Sequence, residues 1–521
     1  MVDRREWVAW LGLGLALAVA LITGLPWPTG DGVRTFCILL LTPLLAMLGH
    51  CLSHLPVSFT APARGLRWLA YGLPSLTCWT LSFVAFFPAI LGSDGTDEWD
   101  QALGTRPLND WHTLGHVLTL RLLAKLWKTP ATLALLQILV LSSLVAWGCR
   151  LLRLLGVPRA PVMTVAFAIA VAPVNLIGVV TIVKDVPYAC AVLALTLLLV
   201  QRYLRAAQKP PLSSWIALWA AGMAAMAYRH NGLTAVLGTM AGLIWLGDEF
   251  RRPLLWGAIT LATGTGLHMA LLRVTGAAPQ PASYGLVGLL AAHVQARTPL
   301  APSERAELDL LMPTSGGWPY DCLTSDTTTF DSRFDFRRLR SENLELFRLA
   351  SALSLRAPLV TLRHLACSSS ALRLIASKRG VGATELTFDS SNEMRAVAPW
   401  PPGPPSRPVW PGLRQFLGQI IQRTGYPDCD WFFWRPALAL YLLLFCVAVA
   451  CFRQSWRLLA IAGPILFHTL GLVAVMPGQV ARYQYPTVLA FELLALPLLR
   501  VPRRPSSAPG PSARTPFEER S

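Results

Sequence analysis

The chain has 521 residues, 54% hydrophobic and 14% charged, with 45 Lys and Arg against 28 Asp and Glu, a net charge of +17 and a mean hydropathy of +0.48. Soluble proteins carry about a quarter charged residues, so this composition excludes a single aqueous globule and makes the bilayer the solvent for much of the chain. The positive balance does not mark a nucleic-acid partner, because the cations fall in short gaps between apolar runs rather than along one aromatic-interleaved stripe.

Apolar runs recur from end to end. The first, Trp7 to Leu25, follows Asp3-Arg4-Arg5-Glu6 and has no small-residue cleavage pattern behind it, so it reads as an anchor rather than a signal peptide. Further runs lie at Thr35 to Leu52, Trp68 to Leu91, Ala131 to Gly148, Pro161 to Ile182 and Val186 to Val200. Six more follow at Trp215 to Tyr228, Gly232 to Leu246, Leu254 to Leu272, Phe432 to Cys451, Leu458 to Met476 and Pro486 to Leu499. The expectation is an all-α polytopic membrane protein of about twelve spans. Basic residues occupy alternate gaps, from Arg4 and Arg5 through Arg64, Arg150, Arg202, Arg251 and Arg453 to the tail from Arg500. By the positive-inside bias that side is cytoplasmic, with both termini inside.

Four regions follow. Residues 1–273 form a membrane domain whose first outer loop is 92–130, residues 274–431 an extracytoplasmic segment, 432–500 the last membrane helices, and 501–521 a disordered Pro- and Ser-rich tail. Within the segment, Ser341 to Ile375 reads as helices broken near Pro358, Pro399 to Pro411 as an extended linker, and Leu413 to Thr424 as a juxtamembrane helix. Cys322, Cys367 and Cys429 lie there, permitting one bridge whose pair the sequence does not select.

The rare polar residues gather in the outer gaps. Asp94, Asp97, Glu98 and Asp100 place four carboxylates within seven residues, beside Trp99 and Gln101. A partly desolvated carboxylate can take a proton from a hydroxyl, and clustered carboxylates, Asp94 and Asp97 first, can instead hold a divalent cation. The same loop continues to Asp110-Trp111-His112 and His116, then to an amphipathic stretch, Leu114 to Leu126, with Arg121, Lys125 and Lys128 facing lipid headgroups. Lys184-Asp185, Arg229-His230-Asn231 and Arg482-Tyr483 put cations on the outer face, against the positive-inside bias, where an anionic phosphate needs them. Glu492 lies inside the last run and is a functional candidate by its place.

On these pieces (Asp94 through Trp99 and Gln101, Asp110-Trp111-His112, Lys184 through Tyr188, Arg229 through Gly232, Arg482-Tyr483 with Pro486) the chain resembles an uncharacterised family of bacterial polytopic membrane proteins, a domain of unknown function. That family is similar in layout to the GT-C glycosyltransferases, which use polyprenyl-phosphate-linked sugars. The resemblance implies transfer of a sugar from a polyprenyl-phosphate donor to a glycan, lipid or protein acceptor. It implies Asp94 as general base or metal ligand, with Asp97 as its rival and His112 nearby. Lys184, Arg229 and Arg482 are implied as phosphate holders, and Glu98, Trp99, Asp110, Asp185, His230, Asn231 and Tyr483 as their support. Relatives are expected to carry proline after the loop histidine, where this chain has Thr113. Two other readings fit the same layout. A polysaccharide polymerase or O-antigen ligase would use Arg363 and His364 in the long segment. A lipid or glycan flippase would use Pro173, Asn175 and Glu492 within the bundle.

Overall fold

The computed structural model describes residues 4–24, 65–341, 343–375, 407–425, 429–476, 478 and 480–502, with scattered positions between 35 and 47. Among these residues the chain is all-helical, and its β pairings are isolated bridges. Helix α1 (Arg4–Gly24) opens it. After a 3-10 stretch at Gly65–Gly72 come α2 (Leu73–Ala85), α3 (Ser93–Leu103), α4 (Leu114–Leu126), α5 (Ala131–Leu154) and α6 (Arg159–Val171). Next are α7 (Pro173–Gly178), α8 (Asp185–Leu204), α9 (Leu212–Tyr228), α10 (Gly232–Trp245) and α11 (Arg251–Thr275). The long polar segment holds α12 (Val287–Gln295), α13 (Pro302–Leu311), α14 (Asn343–Arg356) and α15 (Pro358–Ser368), besides shorter turns. The chain then runs through α16 (Pro411–Thr424), α17 (Pro436–Arg453), α18 (Gly463–Val475) and α19 (Tyr485–Leu498).

Five stretches among the described residues are long and apolar enough to cross a membrane: α5, α8, α11, α17 and the continuous Trp456–Val475 that contains α18. Shorter apolar helices lie within α1 and at α6, α9 and α10. Leu139, Phe167, Ile216, Leu255 and Leu470 are each more than half exposed on these helices. Water would penalise so many outward-facing large apolar side chains, whereas lipid accepts them. The fold therefore fits a membrane protein.

Two expected spans are interrupted. The run from Trp68 to Leu91 divides into the 3-10 stretch and α2, which ends before Pro88, and Pro161 to Ile182 divides at Pro173. Proline lacks the donor and clashes with the preceding turn, so a helix does not run through it easily. The freed backbone pairs instead: Ile90 and Thr181 form a bridge in which Ile90 N–H donates to Val180 O and Ile182 N–H to Ile90 O, both at 2.9 Å. The region 92–130, expected as a loop, contains α3 and α4 packed on each other. Arg121, expected to face lipid, instead donates from Nε to Ala102 O at 3.2 Å, tying α4 to α3, while Lys125 and Lys128 remain exposed. The run from Thr35 to Leu52 lies mostly outside the described residues, as do 376–406 and the tail from 503.

Close helix crossings use glycine. A Cβ on Gly238 of α10 would lie 2.3 Å from Gly463 O of α18, and one on Gly463 would lie 2.4 Å from Gly238 O. Small residues at such a crossing bring two backbones into contact, which is how helices associate in lipid.

The long segment has its own apolar core, built from Val287, Leu290, Leu308, Trp318, Leu346 and Leu353. Cys322 and Cys367 form a disulfide with a Cα–Cα distance of 5.7 Å, and Cys429 is a free, exposed thiol. Several contacts anchor the segment to the bundle, among them the Asn109–Ala278 bridge and the Arg407 N–H donated to Phe87 O at 2.8 Å. Tyr441 of α17 donates to Arg373 O at 2.7 Å, and Thr324 bridges to Gly478.

Candidate functional site

The local sequence explains how the carboxylates are aimed. Gly92 caps α3 in an extended conformation, and Asp94 falls in the first turn, where the positive end of the helix favours it. Gly95 lies against the backbone of the Ile90–Thr181 bridge: a Cβ there would meet Ile182 O at 2.2 Å. This contact fixes α3 beside the start of α8. On one face of α3, residues 94 and 98 are a helical turn apart and point toward α8 and the 481–484 turn.

A chain of alternating charges runs through the site. Asp94 pairs with Arg482, whose Nε lies 3.3 Å from Asp185 Oδ2, and the other oxygen of Asp185 pairs with Arg229. Asp185 is the first residue of α8 and Arg229 caps the C-terminus of α9. The Arg229 guanidinium stacks 4.3 Å from the Tyr483 ring centre and 5.6 Å from that of Tyr188. Burial opposes ionisation of Asp94, but the charges of Arg482 and Lys184 overcome it and hold its carboxyl well below the usual range. The Asp94 side chain is 27% exposed, against 1% for Asp185, so Asp94 is the carboxylate of this chain that an incoming group can reach.

A second knot sits behind it. Glu98 is fully buried, 3.1 Å from His116 Nδ1 and 3.8 Å from Lys184 Nζ. Burial would raise its carboxyl, yet His116, His112 and Lys184 together keep it below the ordinary value. The Lys184 ammonium donates to His112 Nδ1 at 2.7 Å, which leaves His112 Nε2 facing Asp97 Oδ2 at 3.4 Å. Burial, then the neighbouring ammonium, lowers the His112 imidazole below its usual pKa. Thr113, where proline was expected, donates its hydroxyl to Tyr228 O at 3.1 Å and joins this loop to the end of α9.

The structure sorts the remaining candidates. Asp97 does not share the Arg482 cation; it accepts from Arg106 Nη1 and Gln101 Nε2, each at 2.7 Å. Asp94 and Asp97 thus diverge, and among the described residues no group of three or more His, Cys, Asp or Glu side chains is arranged around a metal ion. Trp99 packs in an apolar cluster with Leu91, Val117, Leu120 and Ile182 and serves the seating of α3. Asp110 and His230 lie in a separate group, where Asp110 Oδ2 meets His230 Nε2 at 3.0 Å and His268 Nε2 at 3.2 Å. Burial works against the Asp110 charge, but those two histidines hold its pKa at about 2. The amide atoms of Asn231 are buried with no hydrogen-bond partner among the described residues. Glu492 accepts from Asn175 Nδ2 at 2.6 Å, and Tyr485 donates to Asn175 Oδ1 at 2.9 Å, so this group is closed within the bundle.

Three contributors were not foreseen. His468 of α18 joins the Tyr188 hydroxyl at 2.9 Å to Tyr483 O at 2.9 Å and thereby fixes the turn that carries Arg482. A histidine inside an apolar run was the signal for it. The long segment supplies Tyr284 and Asp326, hydrogen-bonded at 3.2 Å. Partial desolvation, assisted by the Asp94 charge, raises the Asp326 carboxyl, so two carboxylates with oppositely shifted acidities share one region. Nothing local distinguished Asp326 within a polar segment; long-range contacts bring it to the site, among them the Thr324–Gly478 bridge and the packing of its partner Tyr284 on Trp111. By contrast, His364 is buried against Gly288, hydrogen-bonded at 3.0 Å to Tyr320, while Arg363 is exposed. No protein-family model, no curated protein and no solved structure matches this chain.

Proposed function

We propose that the chain is a membrane glycosyltransferase of GT-C type, with about twelve spans and both termini cytoplasmic. It would move a sugar from a polyprenyl-phosphate donor to a hydroxyl of a glycan, lipid or protein acceptor on the extracytoplasmic face. One observation carries this reading: a reachable carboxylate, Asp94, rests on the guanidinium of Arg482, whose other neighbour, Asp185, is shared with Arg229. A proton acceptor and an anion holder thus lie side by side.

The chemistry follows from that pairing. The acceptor oxygen attacks the anomeric carbon while the bond from that carbon to the phosphate oxygen breaks, and the bonding pair stays on the phosphate. The acceptor proton passes to Asp94, and the phosphate is held by Arg482 and Arg229. In the resting protein Arg482 suppresses the basicity of Asp94. Donor phosphate binding to Arg482 weakens that ion pair and raises the proton affinity of Asp94, so the base is released with the donor in place. Tyr284 and Asp326 offer hydrogen-bond partners to acceptor hydroxyls from the segment side.

The polymerase or ligase reading draws less support, because His364 is engaged in the core of the long segment and Arg363 does not converge with it. The flippase reading has the Asn175–Glu492 pair alone, and that pair is satisfied internally. The test is transfer of labelled sugar from a synthetic polyprenyl-phosphate donor by purified protein. Asp94→Asn is expected to lose roughly 10²–10⁴-fold in rate with unchanged membrane expression. Asp97→Asn should stay within a few-fold of wild type. Normal turnover in both variants would end the glycosyltransferase reading.

A further inference from the structure

Helix α15 turns two faces to different surroundings. His364 and Ser368 are buried, His364 against Gly288 of α12. On the opposite side Leu359 and Leu362 are each more than half exposed, with Arg363 and Ala366 open beside them. Positions 359, 362, 363 and 366 follow one helical stripe. Leu355, near the end of α14 just before, is 85% exposed. Leucines left open so close together form an apolar patch on a segment that already has its own core.

The end of α15 fixes the depth of this patch. The short turn that follows, Ser370–Arg373, buries Ala371 and Leu372 against Leu472 and Met476 at the end of α18. Arg373 O accepts from the hydroxyl of Tyr441, the sixth residue of α17, and the Arg373 guanidinium donates back to Ala366 O at 2.6 Å, tying the turn to α15. Both α17 and the stretch containing α18 are long and apolar enough to cross a membrane, and Leu470 and Val475 of α18 are exposed. Five residues of rise place Tyr441 about 7.5 Å inside the first residue of α17. Eleven residues of rise, about 16 Å, separate Leu362 from Arg373 at most, so Leu362 stays within roughly 9 Å of the N-terminal end of α17 however α15 is tilted. That distance is close to the headgroup layer of about 5–8 Å that flanks a bilayer core on each side.

We propose that the leucine patch of α15 lies in the boundary between headgroups and acyl chains, so that the long segment rests on the bilayer rather than standing clear of it. The occupant is membrane lipid, because the turn that ends α15 is seated on two spanning helices and the patch continues their lipid-facing surface. Arg363, beside the leucines, can keep its guanidinium among lipid phosphates while its stem lies on the apolar side, and α15 carries no acidic residue to oppose this. The proposal rests on α17 and α18 spanning the membrane and not on the transfer reaction.

Electron paramagnetic resonance of nitroxide labels tests it, with the full-length protein reconstituted in vesicles of phosphatidylglycerol and phosphatidylcholine. Labels go on Leu359→Cys and Leu362→Cys, each in a Cys78→Ser/Cys429→Ser background that removes the accessible free thiols. Oxygen concentrates in lipid and a nickel chelate in water, so their relative effect on relaxation reads the surroundings of each label. Phe167→Cys on α6 is the lipid standard and Ala306→Cys on α13 the water standard, both at exposed positions. The oxygen-to-chelate ratio at both leucine positions should approach that at Phe167 and exceed that at Ala306 several-fold. Size-exclusion profiles check that each variant keeps its fold. Ratios at both leucines equal to that at Ala306, with Phe167 reading as lipid, overturn the proposal. Protection from both reagents would place a protein partner or a second copy on the patch and overturn the lipid. A water-like ratio at Phe167 as well would overturn the membrane reading itself, and the proposal with it.

Discussion

Glu98 and Asp94 stand one helical turn apart on α3, yet their surroundings give them different work. Glu98 has no exposed side-chain surface and is held by His116 and Lys184, whereas Asp94 keeps an open edge. A buried ion pair that loses one member leaves the other charge stranded at a cost of about 3–5 kcal/mol. Glu98→Ala should therefore lower the thermal unfolding temperature of the detergent-solubilised protein sharply, while Asp94→Asn should change it little. Equal shifts in the two variants would contradict this division of labour. In the sequence the four carboxylates of this stretch were equivalent by type and spacing. The stretch was expected as a loop, so the shared helical face of Asp94 and Glu98 was not foreseen, and the cations that distinguish them come from residues 184 and 482 and depend on tertiary placement. Asp97 shows the same limit, since its partner Arg106 is local yet nothing in the pattern marked it as such.

At the scale of elements, the long segment is where sequence patterning succeeded locally and failed at long range. The break at Pro358 and the helix before the α17 span were both legible, because proline and apolar periodicity act within a few residues. The choice of Cys367 over Cys429 as the partner of Cys322 was not, because it depends on how α15 returns to the 320s turn. Non-reducing peptide mapping should find the Cys322–Cys367 peptide pair and an alkylated Cys429; a Cys322–Cys429 pair would require a different packing of the segment. The same packing makes it acid-sensitive. Burial, then the nearby His293, pulls His364 from the usual 6.5 down to about 4. Between those values the unfolded chain holds the extra proton, so the stability contributed by neutral His364 is full above pH 6.5 and falls as pH drops toward 4. The loss amounts to roughly 3 kcal/mol below pH 4. Hydrogen exchange in α12 and α15 should accelerate over that window, and His364→Gln should flatten the dependence. A flat profile in the wild-type protein would show that His364 is not buried in solution.

For the whole molecule, the alternation of basic gaps predicts a two-sided arrangement, and the length of α8 is compatible with it. Charge counting places Arg202, Arg205 and Lys209 on one side and Lys184 and Asp185 on the other; α8, 20 residues long, physically separates the two sets by about one bilayer core. Helix α11 repeats the argument, with Arg251 at its start and Gly276, the residue after its end, close to the Asn109–Ala278 bridge beside Asp110. Of the about twelve runs expected, five stretches among the described residues are long and apolar enough to cross a membrane, and these were legible because the bilayer selects for composition over about twenty residues. The interruptions at Pro88 and Pro173 were not, because a buried polar backbone can be satisfied by a bridge as well as by a continuous helix. What orients the molecule as a whole is therefore testable at these ends. Periplasmic-reporter fusions after Gly104 and Gly276 should be active, since both positions adjoin the polar cluster. Fusions after Arg205 and Pro505 should be inactive, the first because it closes the far end of α8 and the second because the basic tail belongs to the same side by charge. Activity after Arg205 together with silence after Gly104 would invert the protein and move the charge chain of Asp94, Arg482, Asp185 and Arg229 to the cytoplasmic face. A donor presented outside could not then reach it, and the proposed transfer would have to be abandoned even though every contact within the cluster stayed as it is.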